Sequence, residues 1–214
     1  RLAALRHLPV AVQKVLEQII TDHGAVVFNG DGYSDDWQVE AAARGLKNLR
    51  TTIDALPELD TPETKALFAK YGVLNDRELA SRYEVYLEQY ELSVSVEARS
   101  VLEVATTIVL PAAMRYQSEL AATAANLTAV GIEADTTILG AVTSAISELV
   151  AATAALGAAL SHEHEGSTYD GAAHAGASFL PAMDEVRAAA DTLETLVADD
   201  LWPLPTYQEM LFIL

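Results

Sequence analysis

The chain of 214 residues contains no cysteine, so disulfides, thiolate zinc sites and cysteine nucleophiles are excluded outright. Such a composition fits a reducing compartment, and the cytoplasm is the expected location. Basic residues are scarce. There are 13 Lys and Arg against 31 Asp and Glu, a net charge of −18. A surface of that sign repels phosphate backbones and anionic lipid, which argues against nucleic-acid and membrane-surface partners. The scarcity is uneven: beyond Arg115 the only Lys or Arg is Arg187. No basic leader with an apolar run and a cleavage site opens the sequence. The first residue is Arg1 rather than Met, inside a run that reads as mid-helix, and a piece of a longer polypeptide is expected.

Phosphate chemistry needs a glycine-rich cradle with a Lys at a helix N-terminus, and no such motif occurs. No Ser or Thr lies in a nucleophile-elbow context. One stretch imitates a membrane span: 136–160 is 25 residues with a single charge, Glu148. Its Ala, Thr, Ser and Gly content, without Lys/Arg flanks or aromatic belts, is better explained by a helix packed closely on its neighbours.

About half of the residues are apolar, enough for a core. Pro9, Val12, Leu16, Ile19 and Ile20 read as a helix with proline near its first turn, stopped at Gly24. Ala25–Phe28 reads as a short buried strand or extended run before the turn Asn29-Gly30-Asp31-Gly32. Ser34 caps a short helix that stops at Gly45, and Thr61-Pro62 opens another that stops at Gly72. From Asn75 the apolar steps of three and four at Leu79, Tyr83, Leu87, Tyr90, Val94, Val101, Ala105, Ala112 and Leu120 predict a long helix. Interruptions are expected at the β-branched stretch 92–96 and at Pro111. After a turn at Gly131, Asp135 caps a second helix; a polar loop spans 161–176; a third helix runs through Leu180, Val186 and Leu193 to Trp202-Pro203. The predicted class is mainly α: an antiparallel stack of three long helices, preceded by short helices and a short extended segment. The expected organisation is 1–74 as an exit segment and 75–214 as a helical extension.

Two constellations could hold metals. Asn29 to Glu40 has oxygen ligands at the first, third, seventh and twelfth positions of a calcium loop, but Tyr33 and Ser34 stand where the loop needs an oxygen ligand and a glycine. It is read as a glycine-rich turn feeding a capped helix. His162, Glu163, His164 and Glu165 with His174 carry zinc-type ligands, at a spacing that matches no helical pair; they are read as an exposed loop. The tyrosines 83, 86 and 90 read as a packing face. Arg77, Glu78, Arg82, Glu84 and Glu88 read as a solvated face or a subunit contact.

Several strings are specific. Val27-Phe28-Asn29-Gly30-Asp31-Gly32-Tyr33-Ser34-Asp35-Asp36-Trp37, Arg44-Gly45-Leu46, Ser81-Arg82-Tyr83-Glu84, Val109-Leu110-Pro111-Ala112, Pro181-Ala182-Met183 and Trp202-Pro203-Leu204-Pro205-Thr206-Tyr207 resemble the downstream region of type III glutamine synthetases. The resemblance extends over nearly the whole chain and is weakest at about 134–175. It implies a parent enzyme, an ATP-dependent ligase of nitrogen metabolism, that makes glutamine from glutamate and ammonia with ATP and Mg²⁺ or Mn²⁺. It places the catalytic motifs upstream, so no catalytic, cofactor-binding or metal residue is carried over to this chain. It also implies an upstream catalytic domain and other subunits of a homo-oligomer as partners. On this reading the chain is the non-catalytic C-terminal part, with residues 1–74 as the tail of the catalytic domain and 75–214 supporting assembly or the active-site surroundings. The alternatives are a stand-alone helical scaffold holding a partner helix, and a metal-binding regulator using Asp31 and Glu40 or the His loop.

Overall fold

A computed structural model describes residues 2–161, 166–205 and 207–211, and among these there is no β-strand. The chain divides into two compact units, 1–55 and 56–214. The functional boundary expected at 74/75 falls inside the second unit, between its first two helices.

The first unit holds α1 (Leu2–His23), a 3-10 turn at Gly24–Val26, α2 (Asp35–Ala43) and α3 (Thr52–Ala55). α1 begins seven residues before Pro9, so the proline lies inside the helix rather than at its first turn. The run Ala25–Phe28 does not form a buried strand. Its start is the 3-10 turn, Val27 is extended, and both valines are exposed, because no neighbouring strand is present to pair with them. Ser34 caps α2 as expected, its Oγ accepting the amide of Trp37 at 3.3 Å. Gly45, at φ 76°, closes the helix with amides 45 and 46 bonded to carbonyls 42 and 41.

The second unit opens with a 3-10 turn at Leu56–Asp60 and α4 (Pro62–Tyr71), which starts on a Thr61 cap and stops at Gly72, φ 63°. Both segments pack on α5 (Asp76–Val104). Asn75 and Glu78 form a reciprocal capping box at the start of α5. α5 runs without a break through 92–96: Val94 is buried there, and packing outweighs the weak helix preference of β-branched residues. A π-helical turn, Ala105–Val109, links it to α6 (Leu110–Ala129), giving a continuous rod about 80 Å long at ~1.5 Å per residue. The π-turn has a local cause. Pro111 has no amide hydrogen and its ring crowds the carbonyl four residues back. The Leu110 amide reaches back five residues to the Ala105 carbonyl, and the widened turn accommodates the ring without a break.

α7 (Thr137–Leu160) returns antiparallel to α6 after the turn at Gly131, φ 83°. By length and composition α7 could cross a membrane. In this fold its stripe Val142, Ala145, Leu149, Thr153 and Leu156 is buried, and its main partner is α9 (Leu180–Leu196). The segment 161–176 is not a loop throughout. Ser167 and Asp170 make a second capping box, starting α8 (Thr168–His174). A second π-turn, Ala175–Phe179, leads into α9 past Pro181. The two π-turns share a pattern: alanine at the start, then Leu-Pro-Ala immediately after the turn. Ala105, Val109, Ala175 and Phe179 all enter one core with Val94, Ala98, Leu149, Leu156, Val186 and Leu193. A 3-10 turn at Asp199–Leu201 and α10 (Tyr207–Leu211) complete the described chain. The stack is thus up, down and up, as the periodicity predicts, with small side chains setting close helix approaches.

Candidate functional site

The most motif-dense segment is the turn ahead of α2. Phe28 and Trp37 stack with ring centroids 4.4 Å apart, and the Arg44 guanidinium lies 5.3 Å from the Trp37 ring centre. Arg44 also donates from Nη1 to the Ala25 and Val27 carbonyls at 3.1 and 2.7 Å, and pairs through Nη2 with Glu40. One side chain therefore ties the end of α2 to the strand-like run before the turn. Gly30 lies beneath the Phe28 ring, and a Cβ there would stand 2.6 Å from it, so a side chain would displace the ring. Asp31 Oδ1 accepts the Tyr33 amide at 2.9 Å, and the Asp31 carbonyl accepts both the amide and the hydroxyl of Ser34. Tyr33 projects from this tied turn with 98% of its surface exposed.

These contacts assign the calcium-loop candidates to other work. Asp31 supports the turn, and Glu40 pairs with Arg44. His162, Glu163, His164 and Glu165 lie outside the described residues. His174 is half-buried, its Nδ1 3.2 Å from Ser178 Oγ and its ring edge-on to Phe179 at 5.3 Å. Among the described residues, no three His, Asp or Glu side chains are placed to hold a metal ion. Sequence reasoning did not find the Arg44 tie or the Phe28–Trp37 stack. Their only sequence signal was the specificity of the string itself, because both contacts depend on how α2 folds back over the run before it.

In the second unit the tyrosine stripe divides. Tyr90 packs against the core, Tyr83 is half-buried and Tyr86 faces solvent. Burial raises the Tyr83 phenol above its ordinary value, and the negative charge of Glu84, with Tyr169 and Asp60, adds to the rise. Arg77, Glu78, Arg82, Glu84 and Glu88 are all exposed, with Arg82 donating to the Glu78 carbonyl at 3.2 Å. Among the depressions open to solvent are one of about 700 Å³ where α4 meets α5 and one of about 480 Å³ along the alanine-lined groove between α7 and α9.

In both units the regular elements among the described residues are all helical, and no convergent polar cleft is present among those residues. The profile of the glutamine synthetase C-terminal domain matches residues 11–128, and the chain belongs to that family. The chain is 33% identical to the type-3 glutamine synthetase of Dictyostelium discoideum over 95% of its own length and 29% of the relative's. It is 32% identical to a glutamine synthetase of Butyrivibrio fibrisolvens over 95% of its length and 30% of that protein's. A glutamine synthetase of Bacteroides fragilis is 29% identical over 94% of the chain and 29% of the relative. The chain thus spans under a third of the length of the curated relatives it matches.

Proposed function

We propose that this chain is the non-catalytic C-terminal part of an ATP-dependent glutamine synthetase, a cytoplasmic enzyme that joins glutamate and ammonia. The observation that carries this reading is the similarity to named glutamine synthetases along 95% of the chain. The family implies ATP and a divalent metal in the parent. The described side chains do not fit either group: Asp31 and Glu40 are engaged elsewhere, and no glycine-rich cradle with a lysine precedes a helix. No catalytic step is therefore derived through these residues. On this reading the work of 75–214 is architectural. A rigid rod of about 80 Å with two helices laid along it supports the upstream catalytic domain and the contacts between subunits.

The test uses the full-length enzyme and this chain side by side. Glutamine formation from glutamate, ammonia and ATP is expected from the full-length enzyme and not from residues 1–214 alone. Measurable synthesis by the chain alone overturns the non-catalytic assignment. Deleting 75–214 from the enzyme is expected to reduce its assembly size in light scattering, and an unchanged assembly overturns the architectural role.

A further inference from the structure

The helix α1 crosses a domain boundary. The glutamine synthetase C-terminal domain profile begins at residue 11, inside a helix that runs from Leu2 to His23. Residues 2–10 therefore precede that domain, and 11–23 belong to it. Beyond the boundary the helix carries an open aliphatic stripe: Val12, Val15, Leu16, Ile19 and Ile20 are between 47% and 66% exposed. At ~100° per residue the first four lie within an arc of about 100°, and Ile20 widens it to about 140°. Lys14, Glu17, Gln18 and Thr21 take the other side. Polar atoms there are satisfied along the helix itself, Gln18 donating to the Asp22 carboxylate and the Thr21 hydroxyl to the Glu17 carbonyl, both at 2.8 Å. The main element packed on α1 is the 3-10 turn at Gly24–Val26, which lies past the end of the stripe. A helix gains most of its stability in water by packing such a face, and within the described residues this one is open.

We infer that the α1 stripe docks on the polypeptide that precedes it in the parent enzyme, so that one helix is shared between the upstream domain and this one. The inference rests on the reading above, that the chain is the C-terminal part of a longer glutamine synthetase, and assigns a surface to it. Two observations select this occupant. More than two-thirds of each relative's length lies outside the match, ample chain to build a docking surface. The profile boundary attaches that chain at the head of the same helix. A surface tethered there meets the stripe at an effective concentration on the order of millimolar, which a free partner would have to match. A second copy fits less well. Leu5, Leu8, Val12, Val15 and Ile19 have coiled-coil spacing by sequence, but for only about two heptads, where sustained pairing takes three or four. The next seam position is Asp22.

The absence of cysteine makes the test direct, since an introduced thiol is the only one in the chain 1–214. Leu16→Cys lies on the stripe, and Lys14→Cys lies about 160° around the helix. Each is made in the chain 1–214 and in the full-length enzyme, and maleimide addition is followed by mass spectrometry on the peptide that bears the new thiol. In the chain alone both should react at rates within about threefold of each other. In the full-length enzyme Leu16→Cys should react at least about tenfold more slowly than in the chain, with Lys14→Cys unchanged. Equal reactivity of Leu16→Cys in the two settings overturns the inference. Slow reaction in the chain alone also overturns it: if dilution relieves the slowing a second copy covers the stripe, and otherwise another part of 1–214 does. Protection that vanishes when dilution dissociates the full-length assembly places the cover on another subunit, and overturns it too. Amide exchange across 12–20 in the unmodified proteins asks the same question without a substitution. It should be at least about tenfold slower in the full-length enzyme, and equal rates count against the docking. A reactive Leu16→Cys in a full-length enzyme that makes glutamine leaves the non-catalytic reading standing and removes the docked stripe, whereas glutamine formation by the chain alone removes that reading itself.

Discussion

Replacing Leu149 by alanine, and separately its neighbour Val150, separates the buried from the open face of α7. Leu149 has no exposed surface, while Val150 is 47% exposed. Truncating leucine to alanine removes three carbons, about 2.4 kcal/mol of transfer free energy at ~0.8 kcal/mol each. The surrounding core includes Ala145, Ala152 and Ala189, which have no side-chain length with which to fill the gap. A cavity therefore persists and adds about 1–2 kcal/mol, for a total of about 3–4 kcal/mol. At Val150 two half-exposed carbons are lost, and alanine's better helix propensity offsets part of that, leaving under about 1 kcal/mol. The second unit is 214 − 55 = 159 residues long. At about 2–4 °C per kcal/mol, Leu149→Ala should lower its melting temperature by about 6–16 °C. The chain's two tryptophans fall one in each unit, so in a Trp37→Phe background Trp202, packed on the core, reports the second unit alone. Equal shifts for the two variants, or a Leu149→Ala shift under about 2 °C, would refute a core stripe on α7.

Other outcomes follow from local geometry. Arg44→Met removes two charged donations to backbone carbonyls and should cost the first unit about 1–3 kcal/mol, read from Trp37 fluorescence in a Trp202→Phe background; an unchanged transition would dismiss the tie. Gly72→Ala forces a side chain into the left-handed region and should destabilise the second unit by about 1 kcal/mol. Gly140→Ala, inside α7 with open space around it, should stabilise it by about 0.5–1 kcal/mol, and calorimetry would show shifts of opposite sign. The hydroxyl and amide of Thr137 hold the Asp135 carboxyl below the ordinary aspartate range. A lowered folded value means that this contribution to stability is present above the unfolded pKa and is lost as pH falls through the folded one. Carbon-detected NMR titration should give an Asp135 midpoint below that of an unstructured aspartate, and a midpoint at or above it contradicts the bonding.

Helix identity and most helix ends are properties of short sequence. Ser34, Thr61 and Asn75 cap because an oxygen on a short side chain reaches an amide three residues on, and Gly45, Gly72 and Gly131 stop helices because glycine enters positive φ cheaply. The three-helix stack was legible in the same way, from apolar steps of three and four. What the tertiary structure decided were the places where local preference and packing disagree. The β-branched run 92–96 stays helical because Val94 is needed in the core. Pro111 and Pro181 stay within their rods because a π-turn ahead of each absorbs the missing hydrogen bond, an accommodation that spacing alone does not announce. The Ser167–Asp170 cap lies within a polar stretch whose sequence reads as a loop, and α8 gains its packing face only against α5. At the turn before α2, the glycines and the cap were readable. The grip of Arg44 on two distant carbonyls was not, because such a contact depends on how α2 folds back over the run before it.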